Sequence, residues 1–194
     1  MSTNAIKPQP TVDYTALLTL PDSDNIRIKA IVKEKLLTNP DILYLLNAPE
    51  DIFLPKDYFG TYILPYRILD GSPSEPHSYL CYETMQKPSS ENSGPFKTMQ
   101  LVFSLLIYGT ESLDASSGIP RHDLISAFLI RDINWSEAFG SKCCLVKDQA
   151  GYTKCGYISR TLTFQCRLPN GLTKTNLETG ETYFCNNDSD KEWY

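Results

Sequence analysis

Side chains that shuttle protons, bind metals or attack carbonyls are sparse in this chain. His77 and His122 are its two histidines, one in a Pro/Ser-rich loop and one in the first turn of an expected helix. Nothing beside either in sequence suggests an orienting partner, so both read as ordinary surface or capping residues. Six cysteines, Cys81, Cys143, Cys144, Cys155, Cys166 and Cys185, could in principle supply zinc thiolates. A tetrahedral site needs four converging ligands, however, and no paired C-x-x-C knuckle is present. Cys143 and Cys144 are adjacent, so in a strand they point to opposite faces and at most one faces the core. Asp188, Asp190 and Glu192 alternate as calcium ligands can, but without the loop glycine and the distal bidentate Glu, and they read as a solvated acidic tail. Tyr58, Phe59, Tyr62 and Tyr66 could stack a sugar or a base. With only Lys56 and Arg67 flanking them, packing of the loop onto the body is the favoured reading. A Gly-rich phosphate loop, a Gly-x-Ser-x-Gly elbow and a His-Glu-x-x-His pair are all missing. The expectation is a non-enzymatic protein with no catalytic residue, no essential metal, no cofactor and no functional disulfide.

A chain of 194 residues with 41% hydrophobic and 11% aromatic content can bury one sizeable core,. Its net charge is −5, and no run of Lys or Arg could neutralise consecutive phosphates, which argues against a direct grip on DNA or RNA. Met1 to Pro10 lacks an apolar h-region, and the longest apolar stretch, near Leu101 to Tyr108, is broken by Ser104. Neither export nor membrane insertion is expected, and the cysteines read as thiols in a reducing compartment. The Asn-x-Ser patterns at Asn134 and Asn187 are then chance matches.

Ile28, Ile31, Val32 and Leu36 share one helical face, with Asp22, Ser23 or Asp24 as its cap. Asn39-Pro40 should end that helix and Asp41 should cap a shorter one carrying Ile42, Leu43, Leu45 and Leu46. A Pro-punctuated loop holding the aromatics follows, then strands at Ser78 to Met85 and Thr98 to Tyr108 joined by the polar tip Lys87 to Pro95. Pro120 starts a second major helix near Arg121 to Asn134 whose inner stripe is Leu124, Ile125, Phe128, Leu129 and Ile133, closed by Phe139-Gly140. Cys143, Leu145 and Lys147 form a third strand, Asp148 to Gly151 a turn, and Tyr157 to Leu168 a fourth strand. The result is an α+β fold, about four mostly antiparallel strands packed by two main helices in the order α-β-β-α-β-β. Residues 1–25 form an N-terminal arm, 26–168 the core, and 169–194 a polar extension with a small hairpin around Glu178 to Glu181.

Arg121-His122-Asp123-Leu124-Ile125 opening a helix, Phe139-Gly140 after it, the Tyr79 to Met85 and Thr98 to Tyr108 strands and the closing strand Tyr157 to Phe164 resemble neck proteins of tailed bacteriophages of Gram-positive bacteria. The likeness covers Tyr79 to Leu168. It implies a tail-terminator or tail-completion role: a virion protein, assembled in the host cytoplasm, that forms a homo-oligomeric ring, commonly a hexamer. Such a ring caps the tail tube and joins the head connector, with DNA only passing through its lumen. Interface contacts are expected at Val12, Tyr14, Leu17 and Leu18 in the arm, at Lys87, Glu91 and Asn92 in the tip, at Arg121 and Asp123, and at Trp193 and Tyr194. A head-completion or connector protein is the alternative within the virion, though an all-helical or barrel pattern would suit it better. From another class, the alternative is a small-ligand or carbohydrate-binding domain using the aromatic loop 58–66.

Overall fold

The computed structural model of the chain describes residues 24–49, 52, 54–67, 77–87, 96–109, 112–153, 156–169, 173–175 and 182–184. The fold is α+β. Helix α1 (Asp24–Leu37) buries Ile28, Val32 and Leu36 at successive turns, the stripe that the spacing predicts, with Ile31 half-buried beside it. Helix α2 (Pro40–Leu45) is capped by Asn39 rather than by Asp41. Asn39 sits in extended backbone and its Oδ1 accepts from the N–H groups of Asp41 and Ile42, 3.1 and 3.2 Å away. Pro40, with φ preset and no N–H to satisfy, then serves as the first helical residue.

The aromatic loop contains a 3-10 turn (Pro55–Tyr58) and a short strand, β1 (Ile63–Leu64). Strand β1 lies parallel to β2 (Tyr79–Gln86), pairing Ile63 with Leu80, so the main sheet has five strands instead of about four. Two residues between prolines are too few to show alternation, which hides this strand in the sequence. Strand β2 pairs antiparallel with β3 (Phe96–Tyr108), β3 with β5 (Tyr157–Pro169), and β5 with β4 (Cys143–Tyr152). Helix α3 (Arg121–Ile133) crosses over between β3 and β4, giving the sheet order β1-β2-β3-β5-β4. Strands β6 (Thr173–Thr175) and β7 (Thr182–Phe184) form a separate antiparallel pair, and the turn expected between them lies outside the described residues.

Alternation sets one face of the sheet against the helices. Met99, Leu101, Phe103, Leu105 and Ile107 of β3 and Leu162, Phe164, Cys166 and Leu168 of β5 join Ile28, Val32, Leu36, Ile125, Leu129 and Ile133 in one core,. Phe103 is its centre: its ring meets Phe164 edge-on at 5.9 Å and Tyr82 at 6.3 Å. On α3, Leu124 and Phe128 are only half-buried, while Ser126 takes a buried position. The helix ends at Ile133, not at Phe139-Gly140. Asn134 leaves the helical conformation and Trp135 turns to φ 65°, and Phe139 then plugs the core as a loop residue.

The turn expected at Asp148 to Gly151 is the clearest correction. Those four residues pair with Leu162 through Ser159, and β4 reaches Tyr152 after a bulge at Val146. Gly151 suits the strand interior because a Cβ there would lie 3.1 Å from Ser159 Oγ,. The reversal instead uses Thr153 and Gly156, with Gly156 at φ 81° and Thr153 N–H donating to Tyr157 O at 2.9 Å,.

Phe103→Ala removes a fully buried ring and should cost about 3–5 kcal/mol in urea unfolding, while Val146→Ala, at a half-exposed bulge, should stay within about 0.5 kcal/mol. Equal midpoints for the two variants would contradict this placement of the core.

Candidate functional site

Three surfaces concentrate the remaining chemistry. The first is the entry to α3. Asp114 is 2% exposed, and its Oδ2 accepts from Ser116 Oγ at 2.6 Å, Ser117 N at 2.8 Å and Ser117 Oγ at 2.7 Å. These donors favour the charged form, led by Ser116, and hold its carboxyl down to about 2,. The loop is closed by Gly118 N donating to Asp114 O and Asp114 N to Ile119 O. Arg121, 7% exposed, donates its backbone N–H to Ser112 O and its Nε to Leu113 O.

One turn on, Asp123 receives Arg160 of β5, and Arg160 forks onto Asp148 of β4 at 2.7 and 2.6 Å. His122 Nε2 stands 3.4 Å from Oδ1 of Asp123, its neighbour in the sequence, so this histidine has a carboxylate beside it where the sequence reading saw no partner. Asp123 is already engaged by Arg160, and no nucleophile is placed in this group. Its physical effect is to clamp α3 to the two strands, with Asp123 in the first turn also favoured by the helix dipole.

The second surface is the sheet face away from the helices. At one end Tyr79, Cys81 and Tyr157 pack with Leu64 in a small apolar cluster, where Tyr108 and Tyr157 meet at 5.5 Å. At the other end lies a shallow trough of about 630 Å³. Gln100, Thr161, Thr163 and Gln165 form its floor, with Arg67, Lys87 and Lys147 also lining it. Among the described lining residues there is no carboxylate.

The third surface is the outer edge of β4. Cys143 turns its backbone groups away from β5: its N–H donates to Ser136 O at 3.0 Å and its carbonyl accepts from Trp135 N at 2.6 Å. Leu145 N likewise donates to Asn134 Oδ1 at 2.9 Å. Past the bulge, Asp148, Ala150 and Tyr152 oppose Leu162, Arg160 and Ile158 with the same outward sense,. Among the described residues nothing pairs with their N–H and C=O groups. Val146 is 51% and Tyr152 85% exposed along this edge, and Trp135 beside its start is 65% exposed.

Of the residues singled out in the sequence, Arg121 and Asp123 come together at the α3 entry, and Lys87 follows β2 beside the trough. Val12, Tyr14, Leu17, Leu18, Glu91, Asn92, Trp193 and Tyr194 lie outside the described residues. In the aromatic loop, Tyr62 is buried and packs on Tyr58 at 5.7 Å, Lys33 covers Phe59 at 4.1 Å, and only Tyr66 is mainly exposed. Arg160, Asp148 and the β4 edge are the features that sequence reading missed. A strand register, which spacing does not reveal, is what brings them together.

The depressed Asp114 carboxyl gives the α3 entry a signed pH dependence. Stability that a lowered carboxylate contributes is whole above its ordinary value of 3.8 and disappears as the pH falls through about 2,. A carboxyl-carbon NMR titration of Asp114 should therefore have its midpoint near 2, and Asp114→Asn should loosen amide protection in the loop at neutral pH. A midpoint at the ordinary value would show that the serine donors do not act on it.

No helix among the described residues is long and apolar enough to cross a membrane, and none of their His, Cys, Asp and Glu side chains form a group of three or more that could hold a metal ion. No curated protein matches the chain. The YomW family model matches residues 39–166, a span that holds α2, α3 and most of the main sheet, including the Asp123–Arg160–Asp148 clamp and the whole β4 edge. With about two thirds of its length matched, the chain belongs to the YomW family and is a phage-associated protein.

Proposed function

We propose that this chain is a non-catalytic structural subunit of a tailed-phage neck, a tail terminator that forms a hexameric ring on the tail tube and meets the head connector. The observation that carries the reading is the outer edge of β4, unpaired among the described residues, where Asp148, Ala150 and Tyr152 present backbone donors and acceptors. Such an edge pairs readily with another chain. Pairing it with a different surface of the next subunit is a heterologous contact, and a rotation that closes makes a ring. The half-exposed Val146 and the exposed Tyr152 and Trp135 supply apolar anchors around it,. Membership of a phage-derived family and the mixed α+β core are in keeping with this role. A mildly acidic subunit, net charge −5, also suits a lumen that DNA traverses without sticking.

The carbohydrate-binding alternative loses ground because Tyr62, Tyr58 and Phe59 are spent on internal packing. Residues 1–25, the tip 87–95 and the extension 169–194 remain the segments proposed to meet neighbouring subunits, the tube protein and the connector.

Ala150→Pro is the discriminating variant. Its N–H points away from β5, so proline removes an outward donor while leaving the β4–β5 ladder intact,. Wild type should give discrete rings by negative-stain microscopy, and Ala150→Pro should remain monomeric with a melting temperature within a few degrees of wild type. Deleting residues 1–20 should likewise impair assembly without unfolding the core. A wild-type monomer with a saturable sugar site, or normal rings from Ala150→Pro, would overturn the reading.

A further inference from the structure

Spacing along the chain offers no reason to pair any two cysteines, but the strand register does. Cys143 of β4 lies directly opposite Cys166 of β5, both on the helix-facing side of the sheet, 1% and 4% exposed. Because the backbone groups of Cys143 are taken by Trp135 and Ser136 on the outer side, this is a pair without backbone hydrogen bonds between its two members. Antiparallel strands bring such pairs to Cα separations of about 4.5 Å, with side chains closer than at the alternate positions. That spacing falls within the roughly 4.4–6.8 Å that a disulfide spans.

The two thiols are coupled to each other and to the charges at the start of α1. The thiols hydrogen-bond to each other, which, with burial, pushes the Cys143 thiol up. The same hydrogen bond pulls Cys166 down against burial and the charge of Asp24, with a smaller lowering from Arg27. Lys97 completes the charged group around Asp24, 2.8 Å from its Oδ2.

We propose that Cys143 and Cys166 form a dithiol–disulfide site that a small-molecule disulfide of the glutathione type closes into a cross-strand bond. The thiolate of one of the two cysteines attacks one sulfur of the small disulfide, whose S–S bond breaks and releases one small thiolate that takes up a proton. The other cysteine, deprotonated to solvent, then attacks the protein sulfur of that mixed disulfide, forming the protein disulfide and expelling the second small thiolate, which is protonated in turn. Two protein thiols are oxidised and one small disulfide is reduced to two thiols. Burial makes the reaction wait for local opening of the Trp135 to Leu145 segment, so the site closes more slowly than an exposed thiol reacts. Once closed, the bond fastens β4 to β5 beside the bulge. This inference rests on the register alone and stands whether or not the subunit forms a ring.

The test treats the full chain with oxidised glutathione, alkylates the remaining thiols after denaturation, and maps peptides by mass spectrometry. The expected result is a peptide pair joined through Cys143 and Cys166, with the melting temperature raised by roughly 5–10 °C and restored by dithiothreitol. Cys143→Ser and Cys166→Ser should each abolish that rise. The wild-type peptide map decides the matter even where a variant folds poorly. Full alkylation of both cysteines, a stable mixed disulfide with glutathione alone, or a bond joining other cysteines would each overturn the proposal.

Discussion

Strands β3 and β5 pair over their entire lengths, from Phe96 opposite Pro169 to Tyr108 opposite Tyr157, without a bulge. The other strands of the main sheet and the helices packed on it take their places from that ladder. Its helix-facing side chains form the floor on which α1 and α3 lie, and its two flanks fix the registers of β2 and β4. A slip of one residue in a pairing with period two would turn Phe103, Phe164 and Leu105 to the wrong face and place Ser104 and Thr163 in the core. The alternating burial of β3 and β5 is therefore a constraint on register as much as a source of stability.

Charge fastens the helices at two ends of this platform. At the start of α1, Asp24 accepts from Arg27 at 2.7 Å and from Lys97 of β3 at 2.8 Å, and Arg27 reaches Phe139 O at 3.1 Å. Burial alone would raise the Asp24 carboxyl, but the two cations outweigh it and hold it below the usual carboxylate range. With Lys97 only 4% exposed, removing either partner would strand a charge away from water, which is costlier than the pair itself is stabilising. At the start of α3 the Asp123–Arg160–Asp148 clamp does the corresponding work from β4 and β5. The two clusters orient the helices that the apolar stripes only hold down.

How much of this was legible in the sequence follows from the range of the interactions. Ile28, Val32 and Leu36 announce α1, and the alternation from Met99 to Ile107 announces β3, because each pattern is local and periodic. The reading of Asp148 to Gly151 as a turn failed because the residue types favour a turn, whereas the ion pair to Arg160 and the close approach of Gly151 to Ser159 favour a strand,. Both of those contacts are tertiary. Strand β1 was too short to leave a pattern, and Asn39 outcompeted Asp41 as a cap because Pro40 fits the first helical position. The candidate surfaces were the least legible part: the β4 edge, the Arg160 clamp and the Cys143–Cys166 pair all arise from register.

Amide hydrogen exchange at β4, measured on the isolated subunit and on assembled particles, bears most directly on the proposal that this edge joins subunits. In the isolated subunit the outward amides of Asp148, Ala150 and Tyr152 should exchange fast while the inward amides of Lys147, Gln149 and Gly151 are protected by β5,. Assembly should slow the outward set and leave the inward set unchanged. Outward amides that stay fast in assembled particles would contradict the account.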